Sequence, residues 1–225
     1  MLLLLLLGTL NLADAGSPGC ARAEVSVRTE SRDAGGVPGS TTLCLASDGD
    51  GLSFSFVAAV EGATTEFSSP RLVQRPDDSP PGYHLSWKDP DDTRWTFRMR
   101  AGGVEACVAG GRVVSSLCAS VRPIPEDLRA WLASVPLPFG EGMTRPVLQG
   151  PPFKLRDEVP PTRGLLIVKC TLTTVADARD CTLIKGLNET VDGAVMLWLA
   201  QQRWSPVTFE GRPITVNYVF NFLLR

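Results

Sequence analysis

Hydrophobic and polar residues alternate along much of the first 120 positions. In "GLSFSFVAAV" the apolar set is Leu52, Phe54 and Phe56. "GYHLSW" places Tyr83, Leu85 and Trp87 on one face. "TRWTFRMR" places Trp95, Phe97 and Met99 on one face and Thr96, Arg98 and Arg100 on the other. A period of two is that of a half-buried strand. Between the last two runs stands "KDPDDT", with Pro90 among aspartates. That is turn chemistry, and it predicts a hairpin joining 83–87 to 95–99. "CVAGGRVVSSLC" predicts another, turning near Gly110-Gly111. Residues 21–120 are thus expected to form a mostly β domain of unknown function.

The period then changes. Pro125, Glu126 and Asp127 suit a first helical turn, because proline and acids fit there. Leu128, Trp131 and Leu132 share a helical face, and Pro136 and Pro138 end the run, which places a helix in 121–135. Residues 136–162 carry Gly140, Gly142, Pro146, Pro151, Pro152, Pro160 and Pro161. They read as a linker between two folded units.

The last third has the clearest pattern. "GLLIVKCTLTTV" is strand-like and "RDCTLIKGL" answers it. Val191, Ala194, Val195, Trp198 and Leu199 then recur at helical period, with Asn188 or Thr190 to cap the start. "EGRPITVNYVFNFLLR" turns at Gly211 and runs extended. Ile214, Val216, Tyr218, Phe220, Phe222 and Leu224 alternate there with Thr215, Asn217, Val219, Asn221 and Leu223. The aromatic set reads as core. The expected fold class is α+β: a β-β-α-β domain over 163–225, preceded by the mostly β domain.

Composition narrows the function. The net charge is −2, from 22 Lys+Arg against 24 Asp+Glu, so no basic stripe calls for nucleic acid. The N-terminus, "MLLLLLLGTLNLADAGSPGC", holds an apolar run over 2–12, too short to span a bilayer. With the small-x-small site Ala13-Asp14-Ala15 it reads as a signal peptide over 1–15, although the usual basic start is missing. The expected location is the periplasm or cell envelope. Membrane association would follow only if that segment is retained or if Cys20 is lipidated, and Ser17 stands where a lipobox wants leucine.

Six cysteines in an exported chain invite disulfides. A turn centred between Val175 and Ala176 sets Cys170 opposite Cys181 and Val168 opposite Leu183. Directly opposed residues lie within reach of a disulfide. Val175-Ala176 is poor chemistry for a two-residue turn, so a four-residue loop over 174–177 is expected. Cys20, Cys44, Cys107 and Cys118 leave three connectivities, with Cys107 to Cys118 and Cys20 to Cys44 favoured.

Catalytic chemistry finds little support. His84 is the one histidine, on the polar face of a strand, and no orienting carboxylate or nucleophile accompanies it in the sequence. No C-x-x-C supports zinc. Asp77, Asp78, Asp89, Asp91 and Asp92 lack the spacing of a cation loop and read as a solvated turn. The expectation is a binding protein rather than an enzyme, with no cofactor and no metal.

Arg203-Trp204-Ser205-Pro206, Gly211-Arg212-Pro213 and Val219-Phe220-Asn221-Phe222 follow in order after the strand pair and helix. In this the region resembles the TonB C-terminal domain family. "PFGEGMTRP" and the Cys170/Cys181 pair are similar to a myxobacterial-type exported subgroup. The likeness covers residues 136–225, and it departs from the family at Ala176, where a glycine is usual. It implies a periplasmic module linked to TonB-dependent transmembrane transport. The implied partner is a protein, an outer-membrane TonB-dependent transporter, bound by β-strand addition. The last strand is the edge candidate, with Asn217, Val219 and Asn221 flanking its exposed side. The alternative is a cell-envelope binding or assembly protein with no energy-transducing role.

Overall fold

The computed structural model describes residues 19–28, 39–60, 63–73, 83–100, 102–110, 113–155 and 162–224. The signal-peptide reading over 1–15, and Asp77 and Asp78, lie outside the described residues.

Eight strands build the larger part. They are β1 (Cys20–Arg28), β2 (Gly39–Ser47), β3 (Leu52–Val60), β4 (Ala63–Ser68), β5 (Tyr83–Lys88), β6 (Arg94–Arg100), β7 (Gly103–Gly110) and β8 (Val113–Val121). They form one antiparallel sheet in the order β4-β3-β2-β1-β8-β7-β6-β5, two four-strand meanders joined along β1 and β8. The sheet curls into a half-barrel. Leu72 exchanges backbone bonds of 3.1 and 2.8 Å with Leu52, and the Ser86 N–H donates to the Val73 carbonyl. Residues 72–73 thereby tie the start of β3 to β5. The alternating apolar set points inward: Leu43, Phe54, Phe56, Leu85, Phe97, Ala106 and Leu117 are all buried. The hairpin of β5 and β6 pairs Tyr83 with Met99 and Trp87 with Trp95.

The rest of the chain adds α1 (Glu126–Ser134), β9 (Leu137–Pro138), β10 (Gly164–Leu172), β11 (Ala178–Lys185), α2 (Glu189–Gln201), β12 (Thr208–Phe209), β13 (Arg212–Pro213) and β14 (Val216–Leu224). A second sheet runs β11-β10-β14-β9. Leu166, Val168, Cys170 and Leu172 of β10 are buried, as are Val191, Val195 and Leu199 of α2. The Asn188 side chain caps α2 by accepting from the Val191 N–H at 3.0 Å.

The α+β expectation is corrected here. Among the described residues the protein is mostly β, with 56% strand and 13% helix, and only two helices occur. The C-terminal third is not a free-standing β-β-α-β unit. Its sheet recruits the upstream β9, and one hydrophobic core runs from Ala21 of β1 to Phe220 of β14. The physical reason is the reach of the period-two pattern, which fills far more of the chain than the two helical stretches do. Part of the stretch 136–162 is built into this fold. Leu137 and Pro138 are sheet residues, Leu148 bridges Trp204, and Phe153 packs against Trp198 and Phe222.

All six cysteines are paired, and each bridge joins neighbouring strands: Cys20 with Cys44, Cys107 with Cys118, and Cys170 with Cys181. The Cα separations are 4.0, 4.1 and 4.1 Å. Three disulfides fit an oxidising, exported setting. The first of them pairs the sulfur of Cys20 with that of Cys44.

The β10–β11 hairpin is tighter than a four-residue loop. The Ala176 N–H donates to the Thr173 carbonyl at 2.9 Å and the Thr173 N–H to the Asp177 carbonyl at 3.0 Å. Ala176 sits at φ +68°, the left-handed position that favours glycine. Lys169 faces Thr182 while Thr171 faces Arg179, so β11 carries one extra residue there. Asp180, at φ +49°, takes up that bulge and leaves Cys181 against Cys170.

Candidate functional site

The last strand is an edge over most of its length. On one flank it pairs with β10 throughout, from Gly164 opposite Leu224 to Leu172 opposite Val216. On the other flank, among the described residues, only β9 lies beside it, in parallel, at Val216 and Asn217. The Leu137 N–H donates to the Thr215 carbonyl at 3.0 Å, and the Phe139 N–H to the Asn217 carbonyl at 3.2 Å. Outward backbone groups recur every second residue. The same flank therefore presents the N–H and C=O of Val219, Asn221 and Leu223. Among the described residues no strand pairs with them there.

Why β9 stops is local. The ladder passes Pro138 to reach the Phe139 N–H, and Gly140 and Gly142 follow, the latter at φ +81°, where the chain bends away. Met143 then bridges Phe209 instead of following β14. The chain turns away and leaves a concavity of about 460 Å³, lined by Asp50, Phe139, Arg145, Lys169, Val219 and Asn221 among others. Phe139 meets Tyr218 edge-on, with ring centroids 4.9 Å apart. The opening thus has an aromatic wall, cations at Arg145 and Lys169, and a row of backbone bonding groups.

The sheet face away from the α2 side is also open. Leu165 and Leu223 face each other across β10 and β14 and are both exposed, as is Val219 beside Lys169. Of the three predicted edge residues, Val219 and Asn221 line the concavity with their backbone flank open. Asn217 is committed. Its Oδ1 accepts from the Thr171 hydroxyl at 2.8 Å and its Nδ2 donates to Asp50 at 3.3 Å. Sequence reading missed this because Asp50 lies in the β2–β3 turn, 167 residues away.

Asp50 is the other element of the site. It receives Lys169 Nζ at 2.7 and 2.9 Å, and Arg71 approaches to 3.4 Å. The Lys169 hydrogen bond, above all, holds its carboxyl below the usual carboxylate range; the Asn217 bond and the charges of Lys169 and Arg71 add to this, and desolvation opposes it. Gly49 makes the approach possible. It sits at φ +85°, and a Cβ there would stand 2.5 Å from Asn217 Nδ2.

The remaining candidates fall elsewhere. His84 is 7% exposed on β5, with Arg98 opposite it and Glu105 opposite Arg98. The imidazole thus has a cation, not a carboxylate, as its neighbour across the ladder. Glu105, Cys107 and Cys118 are close enough to share an ion, but both sulfurs belong to one disulfide and offer no thiolate while it is intact. Asp89 is not simply solvated: Trp87 Nε1 and Trp95 Nε1 both donate to its carboxylate at 2.8 Å.

No family model, no curated protein and no solved structure matches this chain. Among the described residues no helix is long and apolar enough to cross a membrane.

Proposed function

We propose that this protein is an exported, TonB-like interaction module of the periplasm or cell envelope, which binds an extended segment of a protein partner by strand addition. The observation that carries this reading is the flank of β14 beyond β9. Val219, Asn221 and Leu223 offer backbone donors and acceptors to an incoming strand. The concavity beside them supplies side-chain discrimination, apolar against Phe139 and Tyr218 and acidic against Arg145. The link to TonB-dependent transport rests on the sequence motifs, from Trp204-Ser205-Pro206 through Gly211-Arg212-Pro213 to the aromatic last strand.

The test exploits the direction of the backbone. Proline is tolerated on an edge strand where its missing N–H would face outward. Asn221→Pro removes one outward donor and leaves the β10 ladder with its bonds. Immobilised TonB-box-like peptides should retain the wild-type chain and lose Asn221→Pro by tenfold or more, at near-native far-UV circular dichroism. Equal retention of the two proteins, or no retention of the wild type, would reject strand addition at this edge.

A further inference from the structure

A second surface, on the outside of the half-barrel, bears a different chemistry. Lys88 and Arg94 stand directly opposite each other on β5 and β6. Arg94, Thr96 and Arg98 follow one another on one face of β6 at two-residue steps. Like charges directly opposed destabilise a strand pair. Two cations are nevertheless set face to face here, where neutral polar residues would satisfy the alternation.

Beside this cationic wall the sheet is low. Ala109, Gly110 and the buried bridge between Cys107 and Cys118 form the floor of a depression of about 410 Å³, and Thr96 and Ser116 bring hydroxyls to its lining. The size is that of a small-molecule site. Arg98 has a carboxylate at hand, 3.9 Å away in Glu105. Lys88 is held by Asp92 at 2.5 Å, in the turn that joins β5 to β6. Arg94 forms no ion pair among the described residues.

We infer that this depression binds a phosphate-bearing anion, with Arg94 and Lys88 gripping the phosphate, Thr96 and Ser116 donating hydroxyls, and Asp92 as the internal anion the ligand displaces. A guanidinium offers paired N–H donors to phosphate oxygens and an ammonium adds a compact charge, so together they suit a doubly charged group. Asp92 is placed to be replaced. It is fully exposed and sits at φ +70°, a position where asparagine is as acceptable as aspartate. The site is separate from the β14 edge, and its fate does not depend on strand addition.

The experiment uses the oxidised full chain and inorganic pyrophosphate, followed by calorimetry and by the fluorescence of Trp87 and Trp95, whose chain neighbours are Lys88 and Arg94. Saturable binding is expected. Arg94→Gln and Lys88→Gln should each weaken it about tenfold, and Asp92→Asn should tighten it severalfold. Lys185→Gln removes the same charge from exposed β11 and should change nothing. Absence of saturable binding, or an equal loss in Lys185→Gln, would overturn the proposal, the latter by reducing it to a general field. The phosphate source is read from vesicles of phosphatidylglycerol. Vesicle binding displaced by pyrophosphate assigns a lipid headgroup, and pyrophosphate binding with no vesicle binding assigns a soluble phosphate ester; both outcomes uphold the site.

Discussion

At the scale of single residues, two positions carry more than their sequence context conveys. Asp89 lies in a turn rich in acids, yet its two oxygens hold the indole N–H groups of Trp87 and Trp95 at 2.8 Å each. Both indoles are partly or fully buried, and a donor left without its acceptor carries a desolvation cost. Asp89→Ala should destabilise the chain by about 2–3 kcal/mol, read from chemical denaturation, with a loss of near-UV signal from the tryptophans. Ala176 is the second. Its φ of +68° strains any residue with a Cβ and most of all a β-branched one. Ala176→Val should cost about 2 kcal/mol, whereas Ala176→Gly should stay within about 1 kcal/mol of wild type. An equal effect of the two substitutions would show that the backbone angle is not what limits this turn. The sequence names these residues but not their geometry. An aspartate in an acidic turn looks solvated until the indoles two and six residues away fold back onto it.

At the scale of elements, legibility follows periodicity. Strands with five or more alternating residues, such as β3, β6 and β14, and both helices announce themselves, and so does the match of Cys170 with Cys181, although in the fold it is the bulge at Asp180 that sets them together. The bulge at Asp180 does not, because one inserted residue leaves the flanking alternation almost untouched. Nor does β9. Two residues of parallel strand have no period, and Pro136 and Pro138 read as loop chemistry. The free-standing β-β-α-β unit failed for the same reason. Pattern alone does not report that β9 joins the last strand, nor that residues 148 and 153 close over Trp204, Trp198 and Phe222. The hairpin supplies its own test. The disulfide spans 11 residues, for which loop closure in the unfolded chain predicts about 2–3 kcal/mol. The double substitution Cys170→Ala with Cys181→Ala should lose that amount and raise hydrogen exchange along β11, the strand at the sheet's other edge, before β10.

At the scale of the whole molecule, the half-barrel and the smaller sheet meet through a short set of polar bonds above a shared core. The Ser47 hydroxyl donates to the Pro136 carbonyl at 2.5 Å, and the Tyr83 hydroxyl to the Pro138 carbonyl at 3.1 Å. Asp50 adds the ionic tie, from the β2–β3 turn to Lys169 and Asn217. That tie fixes the floor of the β14 concavity, so joining the sheets and shaping the edge are one structural event. Its pH dependence has a definite sign. The folded carboxyl lies below its ordinary value of 3.8, so its contribution is present above that pH and fades as pH falls through the folded value. Asp50 has a side chain 42% exposed, and solvent screening keeps the contribution to at most about 1 kcal/mol. Asp50→Asn should therefore trail wild type near neutral pH and converge with it once acid has titrated the folded carboxyl, below its ordinary value. Gly49→Ala strikes the same seam sterically, by pushing on Asn217, and should cost about 1–2 kcal/mol at every pH. Since both substitutions act through Asn217, the double variant should lose less than the sum of the two near neutral pH. Parallel stability curves for Asp50→Asn and wild type from pH 2 to 8, or strict additivity with Gly49→Ala, would mean that the sheets are held by the apolar core alone.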